Sequence, residues 1–159
     1  MSPESEQLLR KNLAAAELVA ARLSHSLDRL SGELPIEASR LAAQDDSDLI
    51  EAIDAFIKRF EQLQDLLANR LFRGIALFEQ EEVSAMSRRD LALLMEKLGV
   101  IPSAEEWSRL AILRNQLTHE YPGEPEKQAD RLNAAYNAAP RLVALTTATR
   151  EYVREKGLL

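Results

Sequence analysis

Apolar residues recur along this chain at intervals of three and four rather than in alternation, which predicts helices throughout. A first helix is expected over about 5–30, with Leu9, Leu13, Ala16, Ala20, Leu23, Leu27 and Leu30 on one face. A loop with room for a short helical turn should follow over 31–46, since Gly32, Pro35 and the run Gln44-Asp45-Asp46-Ser47-Asp48 are turn and cap residues. The second helix is expected over about 48–79. Its stripe is Leu49, Ile53, Phe56, Phe60, Leu63, Leu67 and Leu71, flanked by Ile50, Ile57 and Leu66, so it should pack on both sides, with Gly74 as a bend or weak point.

A third helix over about 87–98 repeats Leu91, Leu94, Met95 and Leu98 and stops at Gly99. Ser103 followed three residues on by Glu106 has the form of a capping box and opens a fourth helix, which turns Trp107, Leu110, Leu113 and Leu117 inward. That helix should stop near Tyr121, because Pro122 disfavours helical geometry in the residue before it and Gly123 follows. A fifth runs over about 125–156, with Leu132, Ala135, Ala139, Leu142, Leu145 and Tyr152 inward and a kink at Pro140. Short connections between long amphipathic helices favour antiparallel neighbours. The expected architecture is therefore all-α, an up-and-down bundle of four to five helices in a single domain over residues 1–159.

Composition narrows the chemistry. The 159 residues contain no cysteine, which excludes disulfides, thiolate zinc sites and cysteine nucleophiles and fits a reducing cytoplasm. The acidic, polar opening Met1-Ser2-Pro3-Glu4-Ser5-Glu6 is unlike a secretory signal, and the most apolar stretch, Leu13 to Leu23, is interrupted by Glu17 and Arg22, so no membrane span is expected. A net charge of −6 argues against a broad basic face for duplex nucleic acid; contact with RNA would need a local pocket.

Reactive side chains crowd together only in Leu113-Arg114-Asn115-Gln116-Leu117-Thr118-His119-Glu120-Tyr121-Pro122. Cleaving RNA without a metal requires a base for the 2′-hydroxyl, an acid for the leaving 5′-oxygen and positive charge on the phosphorane between them. His119 can serve as acid or base, since an unperturbed histidine changes charge near neutrality. Arg114 offers a planar fork of donors for a phosphate, and Asn115 can orient the 2′-hydroxyl or the histidine. Five residues at about 100° each, however, put His119 some 140° around an ideal helix from Arg114. Either the last turn unwinds ahead of Pro122, or two chains face each other and each supplies half of the site.

The spacing Arg-Asn-x3-His-x-Tyr-Pro at the end of a helix resembles the motif of the HEPN superfamily, in particular its HepT-like branch. That resemblance, carried by less than a tenth of the chain, implies an endoribonuclease toxin acting as a homodimer with paired motifs in a cleft between subunits. It also implies an MNT-type nucleotidyltransferase antitoxin as partner, which adds AMP to the motif tyrosine, here Tyr121. Catalytic roles would fall to Arg114, His119 and Asn115, with RNA as substrate and neither cofactor nor metal.

Plainer roles stand beside these. Arg114 can be a surface arginine paired with Glu120 or another acid, His119 can cap the helix C-terminus, and Tyr121 can be a packing residue. His25 lies off the apolar stripe and should be solvated. The row Glu51, Asp54, Glu61 and Asp65 should form a solvated face, and Trp107 a core anchor. The net negative charge favours a rival reading, a non-catalytic bundle that docks a nucleotide or a nucleotidyltransferase through the same segment.

Overall fold

The computed structural model describes residues 1–43, 45–119 and 122–159. It is an all-α bundle of α1 (Pro3–Leu30), α2 (Ala38–Ala43), α3 (Ser47–Leu66), a π-turn (Leu67–Leu71), α4 (Phe72–Phe78), α5 (Arg88–Leu98), α6 (Ala104–Thr118) and α7 (Pro125–Glu155). Among the described residues, no helix is long and apolar enough to cross a membrane.

The centre of the bundle is the packing of α1 on α3, the most extensive contact between two elements, with α7 closing over α1. Ser2 begins α1 by accepting the amide of Ser5 at 3.1 Å, and Pro3 occupies the first turn, where no amide partner is needed. Leu9, Leu13, Ala16, Ala20, Leu23 and Leu30 are buried as the spacing requires; Val19 joins them, and Leu27 is half-buried against the core. On α3, all five stripe residues from Leu49 to Leu63 are buried, and Phe56 and Phe60 meet edge to face with ring centroids 6.1 Å apart.

The expected single helix over 48–79 is divided. Its irregularity is the π-turn at Leu67–Leu71 rather than a weakness at Gly74. Gly74 lies within α4, where an added Cβ would come 3.0 Å from Cδ1 of Leu9, so this glycine serves the close approach of α4 to α1. Phe72, just past the π-turn, packs on Trp107 of α6 at 4.8 Å, which makes Trp107 the core anchor expected.

The connection after α1 is tied down from a distance. Asn133 of α7 accepts the amide of Ile36 at 2.8 Å and donates to its carbonyl at 3.0 Å, satisfying a backbone pair beside a buried side chain. Helix α5 starts with a complete capping box between Ser87 and Asp90 and ends at Gly99, whose left-handed φ of 83° lets Val100 donate to Met95 at 2.9 Å. The box expected at Ser103 is only half made. Ser103 accepts the amide of Glu106 at 3.1 Å, but the Glu106 carboxylate reaches across to Arg141 of α7 instead. Helix α7 is continuous across Pro140 and buries Thr146 and Thr149, whose hydroxyls donate back to the carbonyls of Leu142 and Leu145.

Because Phe56 is fully buried at the α1–α3 contact, Phe56→Ala should cost about 3–5 kcal/mol by urea denaturation. Leu18→Ala, on the exposed side of α1, should change stability by no more than about 0.5 kcal/mol.

Candidate functional site

Helix α6 carries the motif at its C-terminal end. It stops at Thr118, three residues before the expected Tyr121. The Thr118 hydroxyl donates to the carbonyl of Asn115 at 2.8 Å, and His119 follows as the C-cap with φ −76° and ψ 134°, already extended. The backbone leaves the helix only after His119, whose own φ stays near the helical value, so this helix end does not by itself bring His119 round to Arg114. Asn115 and His119 are exposed, while Arg114 is half-buried on the side of α6 that meets α3. Tyr121, the expected AMP acceptor, and Glu120, one possible partner of Arg114, lie outside the described residues.

Arg114 is paired with a different acid. Its Nη2 donates to Oδ2 of Asp65 on α3 at 2.9 Å, while its Nε is buried without a hydrogen-bond partner. Glu61 stands one turn earlier on α3. Burial raises the pKa of its carboxyl above the usual 4.5; nearby Arg114 opposes that rise, and Asp65 adds to it. The guanidinium thus faces two carboxylates across the α3–α6 contact, and the pair with Asp65 takes up part of its charge.

The acidic row of α3 consequently splits. Glu51 and Asp54 are exposed, as a solvated face requires, whereas Glu61 and Asp65 are half-buried toward Arg114. Asp65 is the partner that local spacing does not reveal, because it stands 49 residues from Arg114 and only the packing of α6 on α3 brings them together. His25 is exposed, as expected, and lines a hollow with Arg29 and Arg59. Among the described residues, no group of three or more histidines and carboxylates has an arrangement that could hold a metal ion.

At this site an arginine can orient an oxyanion through the donors that Asp65 leaves free, and an imidazole stands at an exposed helix end four residues after the adjacent amide side chain.

Two measurements probe this electrostatic arrangement. Because the Arg114 and Asp65 side chains are 25% and 38% exposed, a double-mutant cycle between them should give a coupling of about 1 kcal/mol or less. Glu61, with its pKa raised in the folded state, contributes stability that is fully present below pH 4.5 and is lost as pH rises through the folded value. Glu61→Gln should therefore melt slightly above the wild type at neutral pH, and the difference should vanish in scans below pH 4.5.

No family model, curated protein or solved structure matches this chain.

Proposed function

We propose that the chain is a HepT-like toxin of the HEPN type, a metal-independent endoribonuclease centred on Arg114 and His119. The C-terminal end of α6 supports this reading, since it holds Arg114, Asn115 and an exposed His119 in one short segment, and the roughly 140° that helical phase leaves between Arg114 and His119 would be met by a second copy facing the first. In the proposed reaction the 2′-oxygen of one nucleotide attacks the adjacent phosphorus. The P–O5′ bond breaks, leaving a 2′,3′-cyclic phosphate and a free 5′-hydroxyl.

Two protons move in that step. One passes from the 2′-hydroxyl to a histidine base, and another passes from a histidine acid to the 5′-oxygen. With one motif histidine per chain, a homodimer in which two copies of His119 share these duties meets the requirement, and Arg114 would stabilise the phosphorane. The proposed partner is an MNT-type nucleotidyltransferase antitoxin that adds AMP to Tyr121. The added phosphate would compete for the charge of Arg114 and shut the site. The lack of cysteine and of a membrane-spanning helix among the described residues is compatible with work in the cytoplasm.

One observation favours a second reading. Arg114 already spends part of its charge on Asp65 in a chain of net charge −6, which suits a docking module that holds a nucleotide or a nucleotidyltransferase without cutting RNA. Expression in cells separates the two. Wild type should arrest growth and degrade RNA, whereas Arg114→Ala and His119→Ala should slow cleavage by about 10²–10⁴-fold while keeping the helical circular-dichroism spectrum. Harmless behaviour of all three proteins would select the docking module, and toxic variants would remove Arg114 and His119 from the reaction.

A further inference from the structure

The seam between α1 and the antiparallel run of α3, the π-turn and α4 is open to solvent in three successive hollows of about 230, 380 and 470 Å³. The first lies between Ser5–Asn12 and Asn69–Leu77, and the second between Val19 and Gln62–Arg70. The third lies between His25–Arg29 and Asp48–Arg59. Residues from the two sides advance in steps of three, four or seven in opposite directions: Ser5, Leu8, Asn12, Val19, Ser26, Arg29 on one helix and Arg73, Asn69, Leu66, Gln62, Arg59, Ala55 on the other. The hollows therefore lie on one face of the helix pair. From Ser5 to Arg29 the seam extends for about 36 Å at 1.5 Å per residue.

Its charge differs from that of the chain as a whole. Arg29, Arg59, Arg70 and Arg73 line it, and among the described residues none of them makes an ion pair, although Arg59 donates to Ser26 Oγ at 2.7 Å and to the Arg22 carbonyl at 3.1 Å; Arg22, Arg88, Arg89 and Arg131 outside the lining also make none, whereas seven other arginines pair with carboxylates. Leaving four guanidinium groups unpaired along one groove, in a chain with 26 acidic residues, concentrates positive potential there. Asp65 is the only carboxylate lining the first two hollows among the described residues, and Arg114 neutralises it. Asp48 and Glu51 are confined to the far hollow. The side-chain amides of Asn12, Gln62 and Asn69 stand among the arginines. The two nearer hollows meet at Asn69 and Arg70, inside the π-turn, a distortion often found at functional sites.

We infer that this arginine-lined groove binds the sugar–phosphate backbone of single-stranded RNA and leads it past Asp65 to Arg114. The choice of RNA over another polyanion rests on the ribonuclease reading above. The arginines neutralise successive phosphates, and the amides offer donors and acceptors to ribose hydroxyls and base edges. In this arrangement Arg114 does not line the hollows but meets the groove through Asp65, and the strand lies along the helix pair instead of crossing the bundle.

The test measures binding without cleavage, using a fluorescein-labelled 2′-O-methyl oligouridine of twelve nucleotides, which lacks the attacking hydroxyl. Anisotropy titrations at several salt concentrations compare wild type with Arg70→Glu/Arg73→Glu and with Arg88→Glu/Arg89→Glu, an equal charge change on exposed α5 residues outside the groove. The groove variant should bind at least tenfold more weakly, with a salt slope smaller by about 0.7 for each phosphate no longer neutralised, while the α5 variant stays within twofold of wild type. Equal weakening of both variants, or unchanged binding by the groove variant, would overturn the groove. So would displacement of the oligonucleotide by polyglutamate at the same charge concentration, which would make the groove a seat for an acidic polypeptide. Growth arrest by His119→Ala alongside failure of the groove variant to bind would leave the groove standing and remove the proposed catalytic site.

Discussion

Everything in this bundle is referred to the antiparallel contact of α1 with α3. Two helices of 28 and 20 residues bring a leucine- and alanine-rich face against a stripe that includes Phe56 and Phe60, and burial of that apolar surface is the main force available to a chain without disulfides. Ala16 and Ala20 are small buried residues of the α1 face, and Gly74 serves the close approach of α4 to α1. Helices α6 and α7 dock on this pair, while α2 packs on α7 and α5 on α4 and α6. Helix α7 lies along α1 and closes the connection through Asn133, whereas α6 lies on α3 and carries Arg114 to Asp65.

That same contact sets the electrostatics. Its buried side holds the core, and one exposed side is the groove in which four arginines have no acidic partner among the described residues. A net charge of −6 describes the average surface only. Paired charges elsewhere, such as Arg141 with Glu106 and Arg150 with Glu17, cancel locally, so the field along the groove depends on what remains unpaired. Arg114 links the motif to this field by covering Asp65.

Helices were legible in the sequence because each inward face is written in spacing that a helix converts directly into a stripe. Leu49, Ile53, Phe56, Phe60 and Leu63 are all buried, and Gly99 ends α5 with the positive φ that its position demands. Two of the departures share a cause, which is competition from residues far along the chain. Glu106 would complete its capping box if Arg141 were not within reach, and Asp65 would be one more solvated acid if α6 did not lie across it. The Ser87–Asp90 box was equally local and was missed because Asp takes the place of the usual Glu or Gln. In the motif, the order of Arg114, Asn115 and His119 was legible, but the end of α6 at Thr118 was not. Proline chemistry places a break next to Pro122, and nothing in the sequence spacing moves it earlier.

The π-turn has a consequence for how the chain tolerates a change in length. Buried positions on α3 come at an average spacing of 3.5 residues from Leu49 to Leu63, and then at four, through Leu67, Leu71 and Ile75. The wider turn absorbs one surplus residue while keeping both halves of the stripe inward. A chain one residue shorter within this turn could continue as ordinary α-helix with the same leucines in the core, and it would lose Asn69 or Arg70 from the surface. The surplus residue is thus dispensable for packing, and it sits where the nearer hollows meet.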